Sequence, residues 1–385
     1  MAASTAFRIS RRAFVAQASA LAAGGLAGRA MAQGSDTVRI GQSVDLGGPL
    51  AELGKAMHLG AKACFAAINA AGGVHGRQLE LVGKDDGYNV QRSLANMKSF
   101  MADPGMFAMF GCMGTPMIEA VLPLLKATDM PLFTPLTGAT SARPAGMRQV
   151  MNIRASYPEE TERLIEHLAT VGIKRIAIVS QHNSFGAEVA QAAQGAIARR
   201  KLTAVIAVTV ENDASDADAA AVKVAQAQPE AVFVGLAGKP TIQFVKAIRR
   251  ESKGMPLYAL SVMGTAATLD ALKDDGVGIA MTQVVPLPTN GVVPVVRDFL
   301  QAWRAQGAGL EPSHLALEGY INARVFAEAL KRAGPKLSRA AFIDAVYGLK
   351  KLDLGGFEIG FHEPGRNASR FIELTMVGRN GRFVR

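Results

Sequence analysis

A threonine at the start of a predicted helix is the first candidate for ligand chemistry. Thr115 stands four positions after Gly111, which ends a short apolar strand predicted over residues 107–110, and it precedes Pro116. A hydroxyl at a helix start, together with the free backbone N–H groups of the first turn, can bind an anion. Thr115 is also suited to cap the helix, with Pro116 as the first helical residue. Because capping and binding can coexist, the sequence predicts an anion-binding helix start.

No residue pattern points to catalysis. The chain lacks a G-x-S-x-G nucleophile elbow, a phosphate-binding P-loop and a G-x-G-x-x-G dinucleotide motif. Cys112 has no histidine placed locally to activate it, and the apolar neighbours Phe110 and Met113 would raise the pKa of its thiol. The six histidines show no metal-binding spacing. We therefore expect no enzyme, no catalytic residue, no metal and no cofactor.

The first 34 residues have the order of an export signal. Arg11-Arg12 is a twin-arginine pair, residues 14–26 are apolar and uncharged, and Ala30-Met31-Ala32 offers a cleavage site. This order predicts a Tat-type signal over residues 1–32, cleavage near Ala32 and a periplasmic mature protein. The apolar run is shorter than the roughly 20 residues that span a bilayer. The Sec route and an uncleaved basic N-terminus are the alternatives.

Composition narrows the class of protein further. The chain is 49% hydrophobic and 19% charged, as folded domains are. Cleavage would leave about 350 residues, enough for about two domains. No later run of 18 apolar residues occurs, so we expect a soluble mature protein. The formal net charge is +10, but no basic run is interleaved with aromatic residues, which argues against a nucleic-acid partner.

The two cysteines, Cys64 and Cys112, could pair in an oxidising compartment. One falls on a predicted apolar helix and the other directly follows a predicted strand. Two buried free thiols are therefore favoured over a disulfide, which stays open as an alternative.

The order of predicted elements indicates the fold class. Strand-like and helix-like segments alternate from residue 37 to about residue 285, which is typical of parallel sheets covered by helices. A second series begins at the capping box Ser156-Tyr157-Pro158-Glu159. Three helices follow, and a hairpin with an Asn380-Gly381 turn ends the chain. We expect an α/β protein with two doubly wound parallel-sheet lobes, a hinge and an interlobe cleft that holds the ligand.

The predicted domain boundaries follow from this order. The expected segments are a first lobe, a second lobe, a return to the first lobe and a C-terminal hairpin on the second lobe: residues 36–156, 157–286, 287–359 and 360–385.

Several segments together resemble one family. Residues 68–81 (INAAGGVHGRQLEL), followed by Asp85-Asp86-Gly87-Tyr88, resemble the first helix, turn and strand of branched-chain amino acid binding proteins of ABC importers. Residues 47–54, 131–135 and 175–179 resemble the same proteins in the same order. The resemblance implies a monomeric type I periplasmic-binding fold without catalytic activity. It also implies a small carboxylate ligand and delivery to ABC permease subunits in the inner membrane, although a sensor with the same fold remains an alternative.

The resemblance also implies site residues. In the family, a hydroxyl at the position of Thr115 binds the ligand carboxylate, and the loop holding Thr137 and Gly138 contributes hydroxyl and backbone groups. Leu53 stands where the family often has an aromatic side chain. In the second lobe we expect the ligand to meet residues that follow strand ends: Phe185, Gly238 with Lys239, and Met263.

One departure from the family concerns the ligand ammonium. Amino-acid binders carry an acid on the second lobe, whereas the matching loop, Leu260-Ser261-Val262-Met263-Gly264, has none. Because a desolvated ammonium without a partner is costly, this loop favours a carboxylate ligand without an α-amino group. Glu159 or Glu160 near the hinge could replace the missing acid, so branched-chain amino acids stay open.

Overall fold

The computed structural model describes residues 37–306 and 311–384. The predicted signal over residues 1–32 lies outside them. Two separate sheets, one of five strands and one of seven, confirm the expected α/β class with two lobes. We call the elements around the five-stranded sheet the first lobe and those around the seven-stranded sheet the second lobe.

The first lobe alternates strands and helices. Its elements are β1 (Thr37–Val44), α1 (Ala51–Ala70), β2 (Gln78–Asp85), α2 (Val90–Ala102), β3 (Met106–Phe110), α3 (Thr115–Leu125), β4 (Leu132–Phe133), a 3-10 turn (Thr140–Ala142) and β5 (Val150–Met151). The sheet order is β2-β1-β3-β4-β5, and the β1–β3, β3–β4 and β4–β5 pairs are parallel.

The second lobe continues the same alternation. Its elements are α4 (Tyr157–Thr170), β6 (Arg175–Gln181), α5 (Ser184–Arg199), β7 (Thr203–Val210), α6 (Ala217–Gln226), β8 (Ala231–Gly235), α7 (Lys239–Glu251), β9 (Leu257–Ala259), α8 (Ala266–Leu272), a 3-10 turn (Lys273–Gly276) and β10 (Ala280–Gln283). Strands β7, β6, β8, β9 and β10 are neighbours in that order and pair in parallel.

The last part of the chain serves both sheets. Helices α9 (Pro294–Ala305), α10 (His314–Ala333) and α11 (Arg339–Gly348) and the small hairpin β11 (Leu352–Asp353) and β12 (Glu358–Ile359) come first. Strands β13 (Glu373–Val377) and β14 (Phe383–Val384), joined by a 3-10 turn (Arg379–Gly381), then extend the seven-stranded sheet in antiparallel fashion.

The returning helix α10 completes the core of the first lobe. Phe326 on α10 packs against Phe65, Phe110 and Phe133, with ring centroids 5.3–6.2 Å apart. Helices α1 and α10 approach so closely that a Cβ on Gly60 would overlap the carbonyl of Ala316. This packing fixes α1, whose first turn borders the candidate site.

Both cysteines are buried and unpaired, as the sequence favoured. Burial raises the pKa of each thiol to about 12, so neither is a reactive thiolate at neutral pH. Within the described residues, no helix is both long and apolar enough to cross a membrane.

Candidate ligand-binding site

A small cavity lies where residues that follow strand ends of both sheets converge. Its volume is about 20 Å³. The first lobe contributes Leu50, Leu53, Tyr88, Met113, Gly114, Thr115 and Leu136, and the second lobe contributes Tyr157, Phe185, Ala237 and Val262. Ligands of parallel α/β sheets bind beyond the carboxyl ends of the strands, and this cavity has that position in both lobes.

A pair of buried hydroxyls adjoins the cavity: Thr115 lines it, whereas its hydrogen-bond partner Thr137 does not. The Oγ1 atoms of Thr115 and Thr137 are 2.7 Å apart, and the backbone N–H of Ala139 donates to Thr137 Oγ1 at 3.1 Å. The alternative in which Thr115 caps its helix is wrong in one respect. Gly114, with a φ of 100°, is the N-cap, and Thr115 is the first helical residue. The Thr115 hydroxyl is therefore not used as a helix cap.

Tyr157 extends this hydroxyl pair into a network. Burial raises the pKa of Tyr157, and the positive charge of Arg154 and hydrogen bonds from the Gly138 backbone and the Thr137 side chain lower it only in part. The hydroxyl thus stays protonated at neutral pH. A Cβ on Gly138 would lie 2.5 Å from the Tyr157 ring, so glycine is what allows the loop to lie against this tyrosine. Gly138 does not line the cavity; it packs against Tyr157, which does.

The apolar wall combines expected and unexpected side chains. Leu53 and Phe185 line the cavity, and the Phe185 ring contacts the Tyr157 ring with centroids 5.0 Å apart. Val262 lines the cavity, whereas its neighbour Met263 is packed in the core of the second lobe. Which of two adjacent loop residues faces the ligand depends on the backbone path after β9, which composition does not reveal.

Gly238 is a point of close approach between the lobes. It has a φ of 60°, and the backbone N–H of Lys239 donates to the carbonyl of Pro49 at 3.1 Å. A Cβ on Gly238 would lie 2.7 Å from that carbonyl oxygen. Both residues face the other lobe, but neither lines the cavity; Lys239 lines an adjoining groove with Pro49 and Tyr88.

Sequence reasoning missed Tyr88 and Tyr157 as site residues. Burial raises the pKa of Tyr88, and a hydrogen bond from Asn183 of the second lobe opposes that shift. Tyr88 has a φ of 55°, unusual for a residue other than glycine. The position of Tyr88, directly after Asp85-Asp86-Gly87 at the end of β2, was the sequence feature that could have identified it as a site residue.

A buried ion cluster sits at the junction of the lobes. Arg154 Nη2 contacts Glu160 at 3.4 Å and also bonds the hydroxyl of Ser261, while Arg154 Nη1 lies 3.6 Å from Glu318. Glu160 further accepts from the Ser261 N–H at 3.0 Å and from the Thr282 hydroxyl at 2.6 Å. Its carboxylate is thus already used within the protein.

Glu159 is engaged as well. Its carboxylate accepts from the N–H and the hydroxyl of Ser156 at 2.8 and 2.7 Å, completing the predicted capping box. No acidic side chain is among the residues that line the cavity.

A larger cavity, about 470 Å³, lies beside His314 and Phe383. It lacks the Thr115 hydroxyl and is bordered by exposed charged residues, so the smaller interlobe cavity is the better candidate. The described residues contain no group of three or more His, Cys, Asp or Glu side chains able to hold a metal ion.

Comparison with known proteins agrees with this geometry. A family model described as periplasmic binding protein matches residues 37–382. The chain resembles a solved substrate-binding periplasmic protein from Ralstonia solanacearum, with 31% identity, a TM-score of 0.83 and coverage of 90% of this chain and 99% of that one.

Two further similarities point the same way. A solved possible leucine/isoleucine/valine-binding protein from Rhodopirellula baltica SH 1 is 28% identical, with a TM-score of 0.84 and coverage of 92% and 98%. A Leu/Ile/Val-binding protein homolog 3 from Brucella melitensis is 22% identical over 88% of this chain and 90% of that one. These relatives are binding proteins rather than enzymes, and the chain belongs to the periplasmic binding protein family.

Proposed function

We propose that the protein is an exported solute-binding protein that captures a small carboxylate with an apolar body between its lobes and delivers it to an ABC permease in the inner membrane. The observation that carries the proposal is the Thr115–Thr137 hydroxyl pair at the edge of an apolar, acid-free interlobe cavity. Hydroxyls and helix N-terminal N–H groups bind carboxylates, and apolar walls bind hydrocarbon bodies.

The lining residues argue against an obligatory α-ammonium. A buried ammonium needs a carboxylate or several acceptors to offset its desolvation. Glu159 and Glu160, the acids considered as substitutes, are bonded to Ser156 and to Arg154, Ser261 and Thr282. We therefore place aliphatic and aromatic carboxylates ahead of leucine-like amino acids as ligands.

The size of the cavity supports binding by lobe closure. A volume of about 20 Å³ has room for about one water molecule. Any larger ligand must therefore enter while the lobes are apart and then be enclosed, as in hinged binding proteins. The contacts of Pro49 with Lys239 and of Tyr88 with Asn183 join the lobes beside the cavity.

The test is a titration with matched ligand pairs. Calorimetry of the purified mature protein should show 4-methylpentanoate binding at least as tightly as leucine, and benzoate-like acids competing with it. Tenfold tighter binding of leucine would contradict the ligand class. Absence of binding by any carboxylate in a broad panel, with the fold intact, would contradict the function.

A further inference from the structure

We propose that Arg143 is a positioning and specificity residue, which holds the Thr137–Ala139 loop in its binding shape and supplies a buried positive charge that selects anionic ligands. The inference rests on the proposed function, because it concerns the same carboxylate site. Arg143 does not line the cavity and acts through the loop.

Within the described residues, the Arg143 guanidinium donates to three backbone carbonyls. Arg143 is 8% exposed, and its Nη1 donates to the carbonyls of Ala139 at 2.7 Å and Thr137 at 3.4 Å. Its Nη2 donates to the carbonyl of Arg154 at 3.1 Å. One side chain thus joins the loop after β4 to the segment that leads into the second lobe.

These bonds determine which way the loop presents its N–H groups. In a trans peptide the C=O and the following N–H point in opposite directions. With the carbonyls of Thr137 and Ala139 turned toward Arg143, the N–H groups of Gly138 and Thr140 face away from it. The Thr140 N–H donates to Glu188 of the second lobe at 2.6 Å, and the Gly138 carbonyl, between those of Thr137 and Ala139, accepts from the Tyr157 N–H at 2.7 Å.

In the part of the chain that the structure describes, Arg143 forms no direct ion pair, although the more distant carboxylates of Glu159 and Glu188 offset part of its charge. Among residues 37–306 and 311–384, no carboxylate oxygen lies within ion-pair distance of Arg143, whereas Arg154 is flanked by Glu160 and Glu318. Burial and the neighbouring Arg154 lower the Arg143 pKa to about 10, and Tyr157, Glu159 and Glu188 counter that shift only in part, so the group remains protonated at neutral pH. Its Nε is buried without a hydrogen-bond partner.

Such a charge favours an anion on the far side of the loop. Unlike surface charges, a buried charge is screened little by solvent, so it acts over several ångströms. Thr137 connects the two groups, since its carbonyl accepts from Arg143 and its hydroxyl bonds Thr115, so a ligand carboxylate at the hydroxyl pair would be separated from the guanidinium by this one residue. A purely structural tether would need the hydrogen bonds but would be indifferent to the charge of the ligand.

The experiment compares one ligand pair across four proteins. Affinities for 4-methylpentanoate and its uncharged analogue 4-methylpentanamide are measured by calorimetry for the wild type, Arg143→Lys, Arg143→Gln and Arg143→Met. Arg148→Met, which removes an exposed arginine nearby, is the matched control. Far-UV circular dichroism and thermal unfolding establish that each variant is folded.

We expect the carboxylate-to-amide affinity ratio to fall about tenfold or more in Arg143→Gln and Arg143→Met and to be largely kept in Arg143→Lys and the control. A ratio in any folded, uncharged variant equal to that of the wild type would overturn the inference. So would equal ratios in Arg143→Lys and Arg143→Gln. A wild type with no preference for the carboxylate would instead contradict the proposed function itself, which separates the two failures.

Discussion

Thr115 and Thr137 share a hydrogen bond 2.7 Å long, although 22 positions and a whole helix separate them in the chain. The bond joins the start of α3 to the loop after β4, and both hydroxyls are buried. Because the Thr115 hydroxyl does not cap its helix, it can bond a ligand at little cost to the fold.

Thr115→Ala should weaken carboxylate binding by about 10- to 150-fold, because a hydrogen bond to a charged group contributes about 1.5–3 kcal/mol. Thr115→Ser keeps the hydroxyl and should bind within a few-fold of the wild type. Stability should fall by about 1 kcal/mol, the usual net value of one hydrogen bond. Calorimetry and denaturant unfolding check both numbers, and unchanged affinity in Thr115→Ala would remove this residue from the site.

Gly238→Ala should impair lobe closure. A methyl group there would lie 2.7 Å from the carbonyl of Pro49 in the other lobe. We expect weaker ligand affinity and, with ligand present, a radius of gyration in solution scattering larger than that of the closed wild type. The backbone of Gly238, with φ 60° and ψ −132°, is also strained for any residue with a side chain, which costs about 1–3 kcal/mol of stability in any case.

The matched control for this variant is Gly278→Ala. Gly278 also has a positive φ, 81°, and lies in the second lobe, but a methyl group there would meet no atom within 4 Å. It should lose stability through backbone strain but keep its affinity. Equal affinity losses in the two variants would show that backbone strain, rather than the contact with Pro49, is responsible.

Local sequence patterns were sufficient to predict the fold class. Helices and strands are encoded by hydrophobic periodicity and by capping and turn residues, all of which lie within one segment of the chain. The Ser156–Glu159 capping box was identified in this way and is observed at the predicted position. The site was only partly predictable. The positions of Arg143 and Val262 depend on the path that each loop takes after its strand. That path is determined by tertiary contacts with the Arg154 segment and the opposite lobe.

Export by the Tat route stays a prediction from the sequence, since residues 1–32 lie outside the described part of the chain. Replacing Arg11 and Arg12 with lysine keeps the charge but removes the twin-arginine signal. The precursor should then accumulate in the cytoplasm, as measured by fractionation and immunoblotting. Normal export of the double variant would show that the Sec route is sufficient.

Glu52 should make lobe docking depend on pH. Its carboxylate, on α1 of the first lobe, accepts from the hydroxyl of Thr265 at 2.9 Å and is also bonded by Thr268, both at the start of α8 in the second lobe. Burial raises the Glu52 pKa, and the two hydroxyls lower it only in part. The folded state therefore binds the Glu52 proton more tightly than the unfolded chain does.

The sign of the effect follows from linkage. The contribution of Glu52 to stability is fully present below its unfolded pKa and is lost as the pH rises through the higher folded pKa. Glu52→Gln, which stays neutral and can still bond the threonine hydroxyls, should remove that loss. We expect this variant to be more stable than the wild type at pH 7 and about equal to it at pH 4, as measured by thermal unfolding. A variant less stable than the wild type at pH 7 would mean that the ionised carboxylate strengthens the bonds to Thr265 and Thr268 by more than its desolvation costs.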